Sequence, residues 1–144
     1  ARRRAWRPNG HYPGRALDFF AQERTSLTGA IRAAAPDLVH AHWTYEFALA
    51  ALDSELPHLI TCHDDPWAVL RFTCSPYRLV RYFMARQVFR RARALTAVSS
   101  YMADAVRVRA RVPIGVVPNP LAEHVLVSGH IRSAPATRRR VAVT

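Results

Sequence analysis

Apolar positions recur along this chain in two rhythms, and the alternation between them lays out the fold. Leu17, Phe20, Leu27 and Ile31 fall on one face of a helix that Pro36 ends, with Ala21 and Ala34 close by. Asp37–His42 follows as a short apolar run, predicted as a buried strand. Glu46–Leu52 is an apolar helical stretch broken by Pro57. His58–Cys62 reads as a second buried strand and runs into His63-Asp64-Asp65-Pro66. Ser75 then caps a long helix with Pro76 in its first turn, both favoured there, and the helix continues to about Ala92. Ala94–Val98 is a third strand. Ser99 and Ser100 cap a helix from Tyr101 to about Arg109, and Pro113–Val117 is a fourth strand closed by Pro118-Asn119-Pro120.

Apolar strands alternating with helices predict an α/β domain: a Rossmann-like parallel sheet with helices on both faces and right-handed crossovers. Residues 1–14 read as a basic loop, 15–117 as this domain, and 118–140 as a linker rich in Ser, Pro, Gly and Arg. Val141–Thr144 looks like a strand just beginning, the start of a further domain. A complete doubly wound domain opens with a strand running into a Gly-rich turn. The 5 glycines stand at positions 10, 14, 29, 115 and 129, and none forms G-x-G-x-x-G, so the layout is that of a partial domain.

Composition narrows the class. With 144 residues, 50% hydrophobic and 22% charged, the chain can bury a core and is globular in composition. It lacks an apolar run of about eighteen residues, the minimum for a membrane-spanning helix. Its basic first residues lead into no apolar segment of the kind a signal peptide carries. Cys62 and Cys74 are too few and too scattered for a disulfide framework or a zinc site, and read as reduced cytosolic thiols. The formal charge is +11, and all 21 basic residues are Arg. A bias toward Arg and Ala codons accounts for the missing Lys but leaves the charge. The guanidinium fork suits phosphate, so anionic lipid, nucleic acid or a phosphorylated substrate all fit.

Chemistry concentrates at strand ends. His40 and His42 alternate so as to face one side of their strand, at its carboxyl end, where open α/β sheets place ligands. Thr61-Cys62-His63-Asp64-Asp65 ends the next strand, and neighbouring strands would bring His42 and His63 into one crevice. His40, mid-run, reads as a core histidine bonded to backbone. Asp64 and Asp65 also suit a simple turn before Pro66. Trp43, Tyr45 and Trp67 suit either packing or a rim on which a ligand stacks.

In the long helix Val80, Met84, Val88 and Ala92 form one stripe, with Arg78, Arg86, Arg90 and Arg93 roughly opposite; Arg81 and Arg91 intrude on the apolar side. That pattern fits a surface helix with a solvated Arg face, or a patch that leans on anionic lipid. Two further classes fit parts of the sequence. His40, His42 and His63 could ligate the metal of a hydrolase, although Trp43-Thr44-Tyr45-Glu46 departs from H-x-H-x-D-H. An Arg-rich nucleic-acid module fits the charge but lacks any recognised binding motif, and the Arg are dispersed.

Four motifs in order, PDLVHAHW, PHLITCHDD, RRARALTAVSS and VPIGVVPNPL, resemble those of glycosyltransferase family 4, whose usual forms are PDvvHaH, P.v.T.HD, r.AD.vtavS and v.viPNg.d. The resemblance covers roughly residues 36–121. Ala94 stands where the family often has Asp, and Pro120 where the PNG turn has Gly. The resemblance implies one incomplete half of a GT-B enzyme: a fragment of the acceptor-side, N-terminal domain. It implies retaining transfer of a hexosyl group from a nucleotide-sugar donor to the hydroxyl of a sugar or lipid-linked acceptor. It assigns His63 the catalytic role through a hydrogen bond to the donor sugar, and makes His42, Trp43, Glu46 and Asp64 substrate-binding candidates. It implies no metal and no cofactor beyond the nucleotide sugar, which a second, C-terminal domain would mostly hold. The expected setting is cytoplasmic, with a peripheral contact at the inner face of an anionic membrane left open and nucleic acid disfavoured.

Overall fold

A computed structural model of the chain describes residues 15–16, 18–120 and 141–143. The basic loop expected over 1–14, Leu17, residues 121–140 of the linker expected over 118–140, and Thr144 lie outside the described residues. The helices are α1 (Ala21–Ala34), α2 (Glu46–Asp53), α3 (Pro66–Phe72), α4 (Pro76–Arg91) and α5 (Ser100–Arg107). The strands are β1 (Leu38–His42), β2 (His58–Cys62), β3 (Leu95–Ala97), β4 (Ile114–Val116) and β5 (Val141–Val143). All pair in parallel in one sheet of order β4-β3-β2-β1-β5, flanked by the helices. The four strands expected from the apolar runs are therefore parallel neighbours, as predicted.

The ends of the helices follow their sequence signals. Ser75 Oγ accepts from the Arg78 amide at 3.3 Å, and Ser99 Oγ from the Met102 amide at 3.1 Å, each satisfying a donor the first turn leaves open. The first helix begins later than its apolar spacing implies. Phe19 and Phe20 both take φ of 55°, a left-handed turn that buries the Phe20 ring and delays the helix to Ala21. It ends at Ala35, also left-handed, whose amide returns to the carbonyls of Ile31 and Arg32. One helix was not anticipated. α3 starts at Pro66 because the Asp65 carboxylate caps it, accepting from the Trp67 amide at 2.9 Å.

Strand registers sort the sheet into two unlike faces. Val39, Ala41, Ile60, Cys62, Leu95 and Ala97 share one face and are all buried. They meet Leu49, Met84, Val88 and Phe89 in the core, each such side chain contributing about 1.5–3 kcal/mol through burial. The other face carries His40, His42, Thr61 and Thr96, so β1 is not apolar throughout but alternates half-buried and buried positions. Val141–Val143, read from the sequence as the start of a further domain, pairs instead with β1 in this same sheet, Leu38 opposite Val141. The physical reason is local: an apolar, β-branched run satisfies the edge that β1 otherwise leaves open.

The candidate site at the carboxyl ends of β1 and β2

β1 and β2 run side by side with His42 opposite Thr61, so their carboxyl ends deliver His42 and His63 to one place. His42 Nδ1 lies 2.8 Å from His63 Nε2, a hydrogen bond between the two rings. The expected meeting of His42 and His63 is thus present. His40 and His42 do face the same way, with ring centroids 4.4 Å apart. His40 is half-buried and is not bonded to backbone as expected: its Nε2 meets the Thr61 hydroxyl at 2.7 Å, and Thr61 meets the Thr96 hydroxyl at 2.8 Å. This ladder crosses three strands and ties the site to the sheet. Burial lowers the pKa of His40 and of His63, and the neighbouring imidazoles lower both further.

Trp43 leaves β1 with φ of 70°, an uncommon conformation for a bulky side chain and one that concentrates at functional sites. Its indole is half-exposed and lies 5.2 Å from the His63 ring at an interplanar angle of 31°, so the two form a tilted aromatic surface at the pair.

The remaining candidates are held behind that surface by groups that sequence reasoning did not connect. The fully buried Tyr45 donates its hydroxyl to Asp64 Oδ2 at 2.7 Å. Burial raises the Asp64 pKa, against the pull of the Tyr45 hydrogen bond and the nearby Arg81 and Arg78. Burial also raises the Tyr45 pKa, and the Asp64 bond adds to the effect, so the phenol stays protonated. Arg81 lies 3.6 Å above the Tyr45 ring centroid and pairs with Glu46 at 3.0 Å, both side chains largely buried. Glu46 is therefore engaged by a cation on α4 rather than free. The signal for Arg81 was its position on the apolar side of the helix. Tyr45, Thr61 and Thr96 carried none that separates them from ordinary core residues. Cys62 is buried and its thiol is pushed up to about 12, mainly by burial, which leaves it unreactive. Among the described residues, no three His, Cys, Asp or Glu side chains converge as a metal ion would need.

The parallel α/β sheet flanked by helices defines a domain of the Rossmann-like class, and the imidazole pair sits at the strand ends where such sheets place ligands. The chain belongs to glycosyltransferase family 4, whose model, described as Glycosyltransferase Family 4, matches residues 2–123. The match extends well upstream of the four motifs and leaves the metal-dependent hydrolase and the nucleic-acid module without support. No curated protein matches the chain. Among the described residues no helix is long and apolar enough to cross a membrane.

Proposed function

We propose that this chain is the acceptor-side part of a GT-B enzyme that moves a hexosyl group, with retention, from a nucleotide sugar to an acceptor hydroxyl. The observation that carries the reading is the His42–His63 pair at the carboxyl edge of a family 4 domain, half-buried and flanked by the more exposed Trp43 indole. His63 would hydrogen-bond the donor sugar. His42 and Trp43 would meet the acceptor, and Glu46 and Asp64 would shape its seat from behind, since both carboxylates already have protein partners. The diphosphate of the donor needs positioned cations on the far side of a cleft, which a second domain would supply. The reaction needs neither a metal nor a further cofactor.

The test is sugar transfer by the protein expressed with its flanking coding sequence, across a panel of nucleotide sugars and acceptors. Transfer that falls roughly a hundredfold or more in His63→Ala is expected, the size of one well-placed transition-state hydrogen bond. A fully active His63→Ala enzyme would overturn the catalytic role. The 144-residue chain alone should transfer nothing above a buffer control.

A lipid-linked acceptor is favoured by one surface. Residues 66–91 contain six Arg and no Asp or Glu, and Trp67, Phe72, Leu79 and Phe83 among them are exposed. Arg81 and Arg91 pair with Glu46 and Asp53, and the exposed aromatics together with the remaining Arg suit the interface of an anionic membrane.

A further inference from the structure

The short contact between His42 and His63 raises a question that two carboxylates or two ammonium groups would not: which ring holds the proton. Each neutral imidazole has one N–H and one bare nitrogen, and the partner of one nitrogen dictates the state of the other. Two arrangements satisfy the 2.8 Å contact. In one, His42 donates from Nδ1, which places both rings in the Nδ1–H tautomer. In the other, His63 donates from Nε2, which places both in the Nε2–H tautomer.

The second is favoured by the intrinsic preference of the ring. The Nε2–H form is the one an imidazole side chain prefers in water, so this arrangement sets neither ring against its intrinsic preference. Among the described residues none hydrogen-bonds His63 Nδ1, which leaves that nitrogen for a ligand.

We propose that His42 is a positioning residue: by accepting the Nε2 proton of His63 it holds that ring in the Nε2–H tautomer and leaves Nδ1 as a bare acceptor facing a sugar hydroxyl. The assignment of a sugar as the ligand rests on the proposed glycosyl transfer; the tautomer does not. Specificity follows from it. A bare Nδ1 accepts from a hydroxyl and gains nothing from a group that can only accept, such as a fluorine in the same place. The ladder from His40 through Thr61 to Thr96 keeps the neighbouring ring on its own partner, so His42 has no competing hydrogen bond to His40.

The experiment is long-range proton–nitrogen correlation NMR of the imidazoles in the 144-residue chain, near pH 8 and without ligand. His63 should show a protonated Nε2 and a bare Nδ1. Replacing His42 with Ala should reduce the bias between the two forms about fivefold to tenfold, the ratio one net hydrogen bond supports. His42→Gln should restore it, because the amide oxygen can accept from Nε2. A His63 found as the Nδ1–H tautomer in the unaltered chain would overturn the proposal, and that reading needs no variant to fold. So would a tautomer bias that His42→Ala leaves unchanged. Sugar transfer by the complete protein stands apart: its absence would remove the ligand and leave the tautomer as measured.

Discussion

Replacing Tyr45 with Phe removes a single oxygen from the interior and should be one of the more damaging conservative changes in the domain. The ring is buried and would stay in place, as would the Arg81 guanidinium stacked 3.6 Å above it. What disappears is the hydroxyl that donates to Asp64 Oδ2 at 2.7 Å. Asp64 Oδ1 is already buried without a partner, so the carboxylate would lose its remaining protein donor. A hydrogen bond to a charged acceptor contributes about 1.5–3 kcal/mol, and an orphaned buried group costs a similar amount. We expect a loss of about 2 kcal/mol, which in a domain of this size lowers Tm by roughly 10 °C.

The pH dependence separates this explanation from simple loss of packing. Asp64 has a folded pKa raised above its ordinary 3.8, so its ionised form opposes folding at neutral pH, and the opposition fades as pH falls through the folded pKa. Removing the Tyr45 donor raises that pKa further. The Tm difference between Tyr45→Phe and the parent should therefore be largest near neutrality and shrink toward about pH 5. The assay is thermal unfolding of both proteins across that range. A constant difference at all pH values would refute the argument, as would Asp64→Asn failing to relieve the Tyr45→Phe defect at neutral pH.

Other outcomes follow from the same contacts. Arg81→Met should cost about 3 kcal/mol by stranding the largely buried Glu46, and adding Glu46→Gln should recover part of it in chemical denaturation. Because His40 and His63 have folded pKa values below 6.5, the unfolded chain takes up protons first as pH drops. With His42 and Asp64 facing them, stability should fall between about pH 7 and 5, and a flat melting profile there would refute it. His63→Ala should change Tm little, whereas His40→Ala should lower it by breaking the threonine ladder; equal losses by calorimetry would count against that division. Binding to anionic vesicles should weaken steeply with salt and fall about thirtyfold in the double variant Arg71→Gln/Arg86→Gln, each cation near the surface contributing roughly 1 kcal/mol; sedimentation that is insensitive to salt would refute the surface.

Pattern was enough for four of the five strands. Each strand is a short apolar run between Pro, Ser or Asp boundaries, and parallel pairing follows from the helical length between runs. Boundaries slipped where the backbone does something periodicity cannot express. The left-handed pair at Phe19 and Phe20 is invisible in a hydrophobic pattern because both residues are apolar whichever way the chain turns. Asp64-Asp65-Pro66 was read as a turn, yet the same residues are a cap and a first helical position; the α3 sequence beyond them is too short to show a period. The His42–His63 meeting was legible because period two and strand adjacency suffice to place both side chains.

What the sequence could not show is which polar groups near the pair are free. Glu46 and Asp64 look alike on paper: acidic residues just beyond a strand, well placed for a substrate. Their state depends on Arg81, 35 residues from Glu46, and on a Tyr45 hydroxyl 19 residues from Asp64. Both partners approach through tertiary packing, α4 crossing beside α2, and no local spacing reports it. The consequence is mechanical. Because the carboxylates are already bonded, the surface open to a ligand reduces to the imidazole pair and the Trp43 indole. The carboxylates instead fix the loops that carry them. Any substrate charge must then be met by groups beyond this sheet edge, while this edge offers shape, an aromatic face and one bare imidazole nitrogen. That division suits recognition of neutral hydroxyls better than of phosphate, in keeping with the proposed contact with sugar.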